Sequence, residues 1–162
     1  AVSSGMTFAD GTAESKVTLA MAKVLKTKLL NAGYDVLMIR ESDDVQLDNI
    51  ARTVIANNNA DCHIALHWDS TSSNKGAFFM SVPSNATYRA MEPGESLISG
   101  LKSAGVKIYS KGSMEMDLTQ TSYSTIPSVD IELGDKASDH SGATLETLAN
   151  GLLTGVNTFF GQ

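Results

Sequence analysis

The sequence predicts a single α/β domain, with a twisted, mixed and mostly parallel sheet flanked by helices. Three observations carry this. Segments with apolar residues at helical spacing alternate along the chain with short apolar runs of strand length. The 162 residues fit one domain, long enough to bury a core without disulfide staples. Two of the short runs end in ionisable residues, His67 and Glu132, and open α/β sheets place their ligand crevice outside the carboxyl ends of strands.

Taken in order, Ala1 to Asp10 is polar and contains glycine. Ala13 to Asn31 carries Val17, Ala20, Met21, Val24, Leu25, Leu29 and Leu30 at helical spacing. Thr12 is placed to cap this helix, Glu14 falls in its first turn and Gly33 marks its stop. By pattern alone, Glu14 is a carboxylate compensating the helix dipole. Tyr34 to Arg40 reads as a strand, Glu41 to Asp44 as a turn, and Val45 to Asn58 as a helix through Leu47, Ile50, Ala51, Val54 and Ile55. Cys62 to Leu66, set between Asn57-Asn58-Asn59 and a polar loop from Asp69 to Lys75, reads as a buried central strand. Strand, helix and strand then form a crossover unit.

Gly76 to Val82 is a further strand, stopped by Pro83-Ser84-Asn85. Ala86 to Met91 is open between a helical turn and a loop, Glu95 to Ser103 is a short helix ending near Gly105, and Val106 to Tyr109 is a strand. Ser110 to Ser124 reads as a polar, irregular loop with room for a short strand. Ile126 to Gly134 alternates as a strand, and Thr144 to Phe160 closes the chain as a helix striped by Leu145, Leu148, Ala149, Leu152, Leu153 and Val156.

Composition narrows the function classes. With 42% hydrophobic and 19% charged residues and only three prolines, the chain is globular throughout. Its apolar stretches are interrupted every few residues, short of the roughly 20 that a membrane span needs. A missing signal peptide at Ala1 does not decide the compartment, since a mature domain would have lost it. Net charge is −6 without a lysine or arginine cluster, which speaks against nucleic acid as a partner. The single Cys62 excludes a disulfide within the chain, and inside a strand it reads as a small hydrophobe rather than a nucleophile.

His67 is the first candidate for chemistry. Beside Trp68 it has an ordinary reading as a hydrogen-bonded core residue, and a functional one as a group reaching metal or substrate from a rigid strand. His63 projects to the same face, roughly 13 Å away at about 3.3 Å per residue, too far to share one metal ion. His140 lies in the polar turn Ser138-Asp139-His140-Ser141 and is not expected to be a primary ligand. Glu132 at a second strand end and Glu14 at a helix start fall on the same rim as His67, a grouping that points to metal-assisted chemistry. Zinc takes histidine nitrogen and carboxylate oxygen, and a nearby carboxylate can move the proton of its water. No His-Glu-x-x-His helix is present.

These residues resemble the zinc-dependent N-acetylmuramoyl-L-alanine amidases, a family of bacterial autolysins, sporulation amidases and phage endolysins. Glu14 opens the first long helix, Ile39-Arg40-Glu41-Ser42-Asp43-Asp44 ends a strand in arginine and acids, and Arg52 precedes Ala56-Asn57 by four positions. The most specific block runs from Ala60-Asp61 to His67, with Ala65 where the family usually has serine and Asp69 where it has asparagine. Gly76 opening a strand and Pro127-Ser128-Val129-Asp130-Ile131-Glu132-Leu133-Gly134 resemble the next two blocks, Asp130 standing at a position that is usually apolar.

The resemblance implies an amidase-like catalytic domain over residues 1–162, with Glu14 and His67 as Zn2+ ligands and Glu132 as the catalytic carboxylate. It implies a monomeric hydrolase acting on peptidoglycan or muropeptides at the cell wall, secreted there or released by phage lysis, without nucleic acid or membrane span. Family members begin with a strand running into a Gly-His-Gly turn that supplies the first zinc ligand, and Ala1 falls just after that turn. A third ligand and a strand are therefore expected upstream, to complete the metal site and cover an apolar sheet edge beside Tyr34 to Arg40 or the central strand. The alternatives are an amidase-fold domain that binds peptidoglycan or regulates a wall hydrolase without catalysis, and a zinc carboxypeptidase.

Overall fold

Two periodicities divide the chain, one near 3.6 in the segments that become helices and one of 2 in those that become strands. The computed structural model describes residues 5–43, 49–81, 92–116 and 124–162. Expectations for 44–48, 82–91 and 117–123, Leu47 and the Pro83-Ser84-Asn85 stop among them, lie outside the described residues. In chain order the elements are α1 (Glu14–Asn31), α2 (Asn49–Asn59), β1 (His63–Asp69), β2 (Ala77–Ser81), α3 (Gly94–Ser103), β3 (Ile108–Glu115), β4 (Ser128–Asp135) and α4 (Gly142–Phe160).

The sheet is mixed and open, in the order β1-β4-β2-β3. β1 runs parallel to β4 and β2 parallel to β3, while β2 and β4 are antiparallel. Alternation gives the sheet two unlike faces. Trp68, Phe79, Val129, Ile131 and Leu133 point into the core with Met21, Leu97, Leu101, Leu148 and Leu152 of the helices. His63, His67, Asp130 and Glu132, at the intervening positions, take the opposite face. The helix layer closes tightly because a Cβ on Gly100, Gly151 or Gly155 would lie 2.2 to 2.7 Å from backbone atoms of the facing helix.

Helix ends follow their signals in part. Gly33, at φ +94°, takes the left-handed conformation just past α1. Ser141 caps α4 by accepting from the Thr144 N–H, and Gly161 ends it at φ 73°. Thr12 is not the cap of α1: Ala13 holds that position without a side-chain bond, and the Thr12 N–H instead donates to Asp10 Oδ1 at 2.9 Å. The acid in the first turn, Glu14, is directed elsewhere.

Two strand expectations are corrected. β1 is an edge strand among the described residues rather than a central one, with a ladder to β4 on one side only. Tyr34 to Arg40 forms no strand, so it is not one arm of a crossover unit. Its burial alternates as a strand's would, Tyr34, Val36 and Met38 being half-buried and Asp35 and Leu37 exposed, but its anchors run to helices. Tyr34 Oη donates to Asn157 Oδ1 at 2.8 Å. Arg40 Nη2 donates to Ser15 O at 2.6 Å and Thr18 Oγ1 at 3.1 Å. A period of two reports which side chains are covered, not whether the backbone is paired. Ser110 to Glu115, in the polar stretch with room for a short strand, continues β3, where Phe79, Met80 and Ser81 pair with Ser113, Met114 and Glu115.

Candidate active site

β4 and β1 pair in a register that sets His63 beside Ser128, Ala65 beside Asp130 and His67 beside Glu132. Their odd-numbered partners on β1 and even-numbered partners on β4 share one face, so one strand contributes histidines and the other carboxylates to the same surface. β2 adds Phe78, which is 1% exposed and pairs with Glu132 from the other side. An apolar wall thus stands next to the Glu132 carboxyl.

Glu14 reaches this face from the start of α1. Its side chain is 11% exposed and is gripped by two backbone donors: the Met6 N–H to Oε1 at 3.0 Å and the Trp68 N–H to Oε2 at 2.9 Å. Gly5 makes room for it, since a Cβ there would lie 2.6 Å from Glu14 Oε1. Each carboxylate oxygen keeps a second lone pair, and Oε2 lies 4.0 Å from His67 Nδ1. The other ring nitrogen, Nε2, is 2.9 Å from Asp130 Oδ1. Glu14, His67 and Glu132 are therefore brought to one locality, with Asp130 as a fourth member.

Electrostatics follow from this crowding. Burial pushes the Glu132 carboxyl up; the His67 charge opposes this, but Glu14, Asp69 and Asp130 add to it, and the pKa reaches about 7. Burial lowers the His67 pKa, yet the hydrogen bond and charge of Asp130, with Glu132 and Glu14, outweigh it and leave the imidazole above its usual range. His63 goes the other way: burial dominates, with Arg52 and His67 adding to it against Asp130, and its pKa falls. Glu132 Oε2, Asp130 Oδ2 and His63 Nδ1 are buried without a hydrogen-bond partner among the described residues.

The remaining candidates stand apart. His140 Nε2 is 2.8 Å from Asp10 Oδ2, and its ring lies 4.5 Å from that of Phe8. Burial, with the charge of Asp61, pushes the Cys62 thiol up to about 12, as suits an inert small hydrophobe. The motif residues Arg40 and Asn57 act structurally, Arg40 on α1 as above and Asn57 Oδ1 by accepting the Thr125 N–H at 2.9 Å. Asp135 organises the loop after β1. It accepts the N–H groups of Ser73, Lys75 and Ala137 at 2.9 to 3.0 Å, and these bonds hold its pKa low against the cost of burial.

Residues 2–155 match the family described as N-acetylmuramoyl-L-alanine amidase. The chain belongs to this amidase family. The activity that goes with the family is cleavage of peptidoglycan at the N-acetylmuramoyl-L-alanine amide. Among curated proteins no relative matches. Solved structures share the fold: the amidase Ami1 from Mycobacterium abscessus, in its apo form, is 20% identical with a TM-score of 0.83, over 98% of this chain and 83% of that one. The catalytic domain of the amidase CwlV from Bacillus (Paenibacillus) polymyxa is 18% identical at a TM-score of 0.80, over 98% and 91%. The CwlD amidase from Clostridioides difficile, solved with the GerS lipoprotein, is 20% identical at 0.82, over 97% and 91%.

Against what this amidase family implies, the donor set fits zinc in kind but not in number. Glu14 offers a carboxylate oxygen and His67 an imidazole nitrogen, facing each other, whereas a catalytic zinc takes three protein ligands. Among the described residues no group of three or more His, Cys, Asp or Glu is arranged to hold a metal ion. Asp130 is the member of the cluster to which sequence reasoning assigned no role. The alternation Val129-Asp130-Ile131-Glu132-Leu133 was the available signal, because period two puts Asp130 on the face of Glu132.

Proposed function

We propose that this amidase-family chain hydrolyses the amide between the lactyl group of N-acetylmuramic acid and the L-alanine of the peptide stem, with Glu132 as the proton-transfer group. The observation that carries this reading is the pairing of His67 with Glu132 beside a carboxyl raised to about 7. As a carboxylate, Glu132 takes the proton of the attacking water while the water oxygen bonds to the amide carbon. As the acid so formed, it returns that proton to the alanine nitrogen when the carbon–nitrogen bond breaks. A pKa near neutrality keeps both forms available, which a residue working first as base and then as acid needs.

Zinc is the cofactor we assign, and Glu14 and His67 are the residues that would hold it, with a third donor from outside the described residues. When bound it would supply Lewis acidity at the carbonyl and lower the pKa of a water. The chain's own contribution is to fix those two donors. Backbone N–H groups clamp Glu14, and the β1–β4 ladder sets the height of His67 against Glu132. We place the protein at the cell wall as a monomer whose substrate is peptidoglycan. No helix among the described residues is long and apolar enough to cross a membrane.

Purified protein incubated with peptidoglycan, followed by mass analysis of the fragments, tests the reading. Free stem peptides beginning at L-alanine, and a zinc requirement, are expected. Cleavage inside the stem would replace it by the carboxypeptidase alternative. The two-donor set favours a second reading, a wall-binding domain without turnover. Sedimentation with peptidoglycan without release of any fragment, zinc supplied, would decide for that one.

A further inference from the structure

Asp130 is a buried carboxylate that the reaction above does not use. Its side chain is 9% exposed, and the sheet register places it beside Ala65, between the levels of His63 and His67. Across the ladder from Ala65, Asp130 Oδ1 comes within 2.9 Å of His67 Nε2. A carboxylate accepts hydrogen bonds and donates none. The hydrogen at this contact therefore belongs to the imidazole, on Nε2. In the neutral ring Nδ1 is then bare, and its lone pair faces Glu14 Oε2 across 4.0 Å. Two acceptors face each other there, an arrangement that a proton, a metal cation or a bridging donor between them relieves.

We propose that Asp130 is a positioning residue: by taking the Nε2 hydrogen it holds His67 in the tautomer whose Nδ1 lone pair, with Glu14, is presented to a divalent cation. This rests on His67 being a zinc donor under the proposed function. A carboxylate behind a metal-binding histidine fixes ring orientation and raises ligand basicity, an outer contact whose loss lowers metal affinity about 10- to 100-fold. Here that role falls to a residue of the neighbouring strand, set beside His67 by the β1–β4 register.

The tautomer can be read without turnover. Long-range proton–nitrogen spectra of the metal-free protein, labelled at histidine and recorded above the titration of His67, should show Nε2 protonated and Nδ1 bare. Asp130→Asn keeps an accepting oxygen and should keep this tautomer. In Asp130→Leu, Nε2 loses its acceptor while Glu14 still faces Nδ1, and the hydrogen should move toward Nδ1. Calorimetric titration with Zn2+ alone should find Asp130→Leu about 10- to 100-fold weaker than the parent, and Asp130→Asn close to it. A parent protonated at Nδ1, or an Asp130→Leu protein with unchanged tautomer and zinc affinity, overturns the proposal. If Asp130→Leu fails to fold, the parent and Asp130→Asn spectra still decide. An inactive parent with the stated tautomer would count against the amidase reading and not against this one.

Discussion

The two faces of the β1–β4 pair are built from the same fourteen or so residues of strand, yet they obey opposite rules. On one face Trp68, Val129, Ile131 and Leu133 are 0 to 5% exposed and meet the helices, and stability comes from removing apolar surface from water. On the other, His63, His67, Asp130 and Glu132 are brought together, with buried polar atoms that have no partner among the described residues. That arrangement costs stability, and it shifts the Glu132 carboxyl to about 7. A carboxyl of raised pKa is thus placed on a strand whose other face packs against the helices.

Adjacent residues on β4 separate the two rules. Glu132→Gln removes a proton acceptor while keeping shape, so amidase turnover should fall roughly 100- to 10,000-fold with the circular dichroism spectrum unchanged. A Glu132→Gln protein that still released stem peptides at the parent rate would sink the assignment. Ile131→Ala, one residue away on the packed face, should behave conversely: about 2 to 5 kcal/mol of stability lost to transfer and cavity terms, read as a lower urea midpoint. The turnover of the molecules that remain folded should be much less affected.

A pH series sharpens the contrast. Folding raises the Glu132 pKa from 4.5 to about 7, so the folded state binds the proton more tightly. Its contribution is complete below about 4.5 and is lost as pH rises through about 7. In metal-free protein, Glu132→Gln cannot ionise and should gain on the parent across that window, by roughly 1 to 3 kcal/mol at alkaline pH. Equal urea midpoint differences at pH 5 and pH 8 would contradict a buried carboxylate charge at this position. The smallest effect belongs to Ala65→Ser, which adds a hydroxyl at the position paired with Asp130, whose Oδ2 has no partner among the described residues. A hydrogen bond there should add about 1 kcal/mol, and a destabilised Ala65→Ser protein would mean that the space between the histidines is already filled.

Much of this was legible in the residues themselves. Local periodicity located α1, the β1 segment, β2, α3, β4 and α4, because burial on one face imposes its own repeat on the sequence. The order in which strands pair was not legible. The expectation that Cys62 to Leu66 is central, and that Tyr34 to Arg40 is a strand, failed for one reason: a backbone ladder is made between segments distant in sequence, and side-chain pattern does not report it. The polar stretch from Ser110 onward left room for a short strand, and the one that forms there is largely exposed. In the site, Glu14, His67 and Glu132 could be named singly from their places at element ends. Asp130 could be placed on their face by alternation, but its partner could not.

The sequence by itself determined which side chains are apolar, which strand faces are acidic or basic, and where helices end. These are local properties, set by the spacing of residues along one segment. Only the tertiary structure decided that His67 stands level with Glu132, that Asp130 meets its Nε2, and that Met6 and Trp68 clamp Glu14. Those contacts join residues up to 65 positions apart, His67 and Glu132 being the widest pair, and the register of one strand against another sets that pairing.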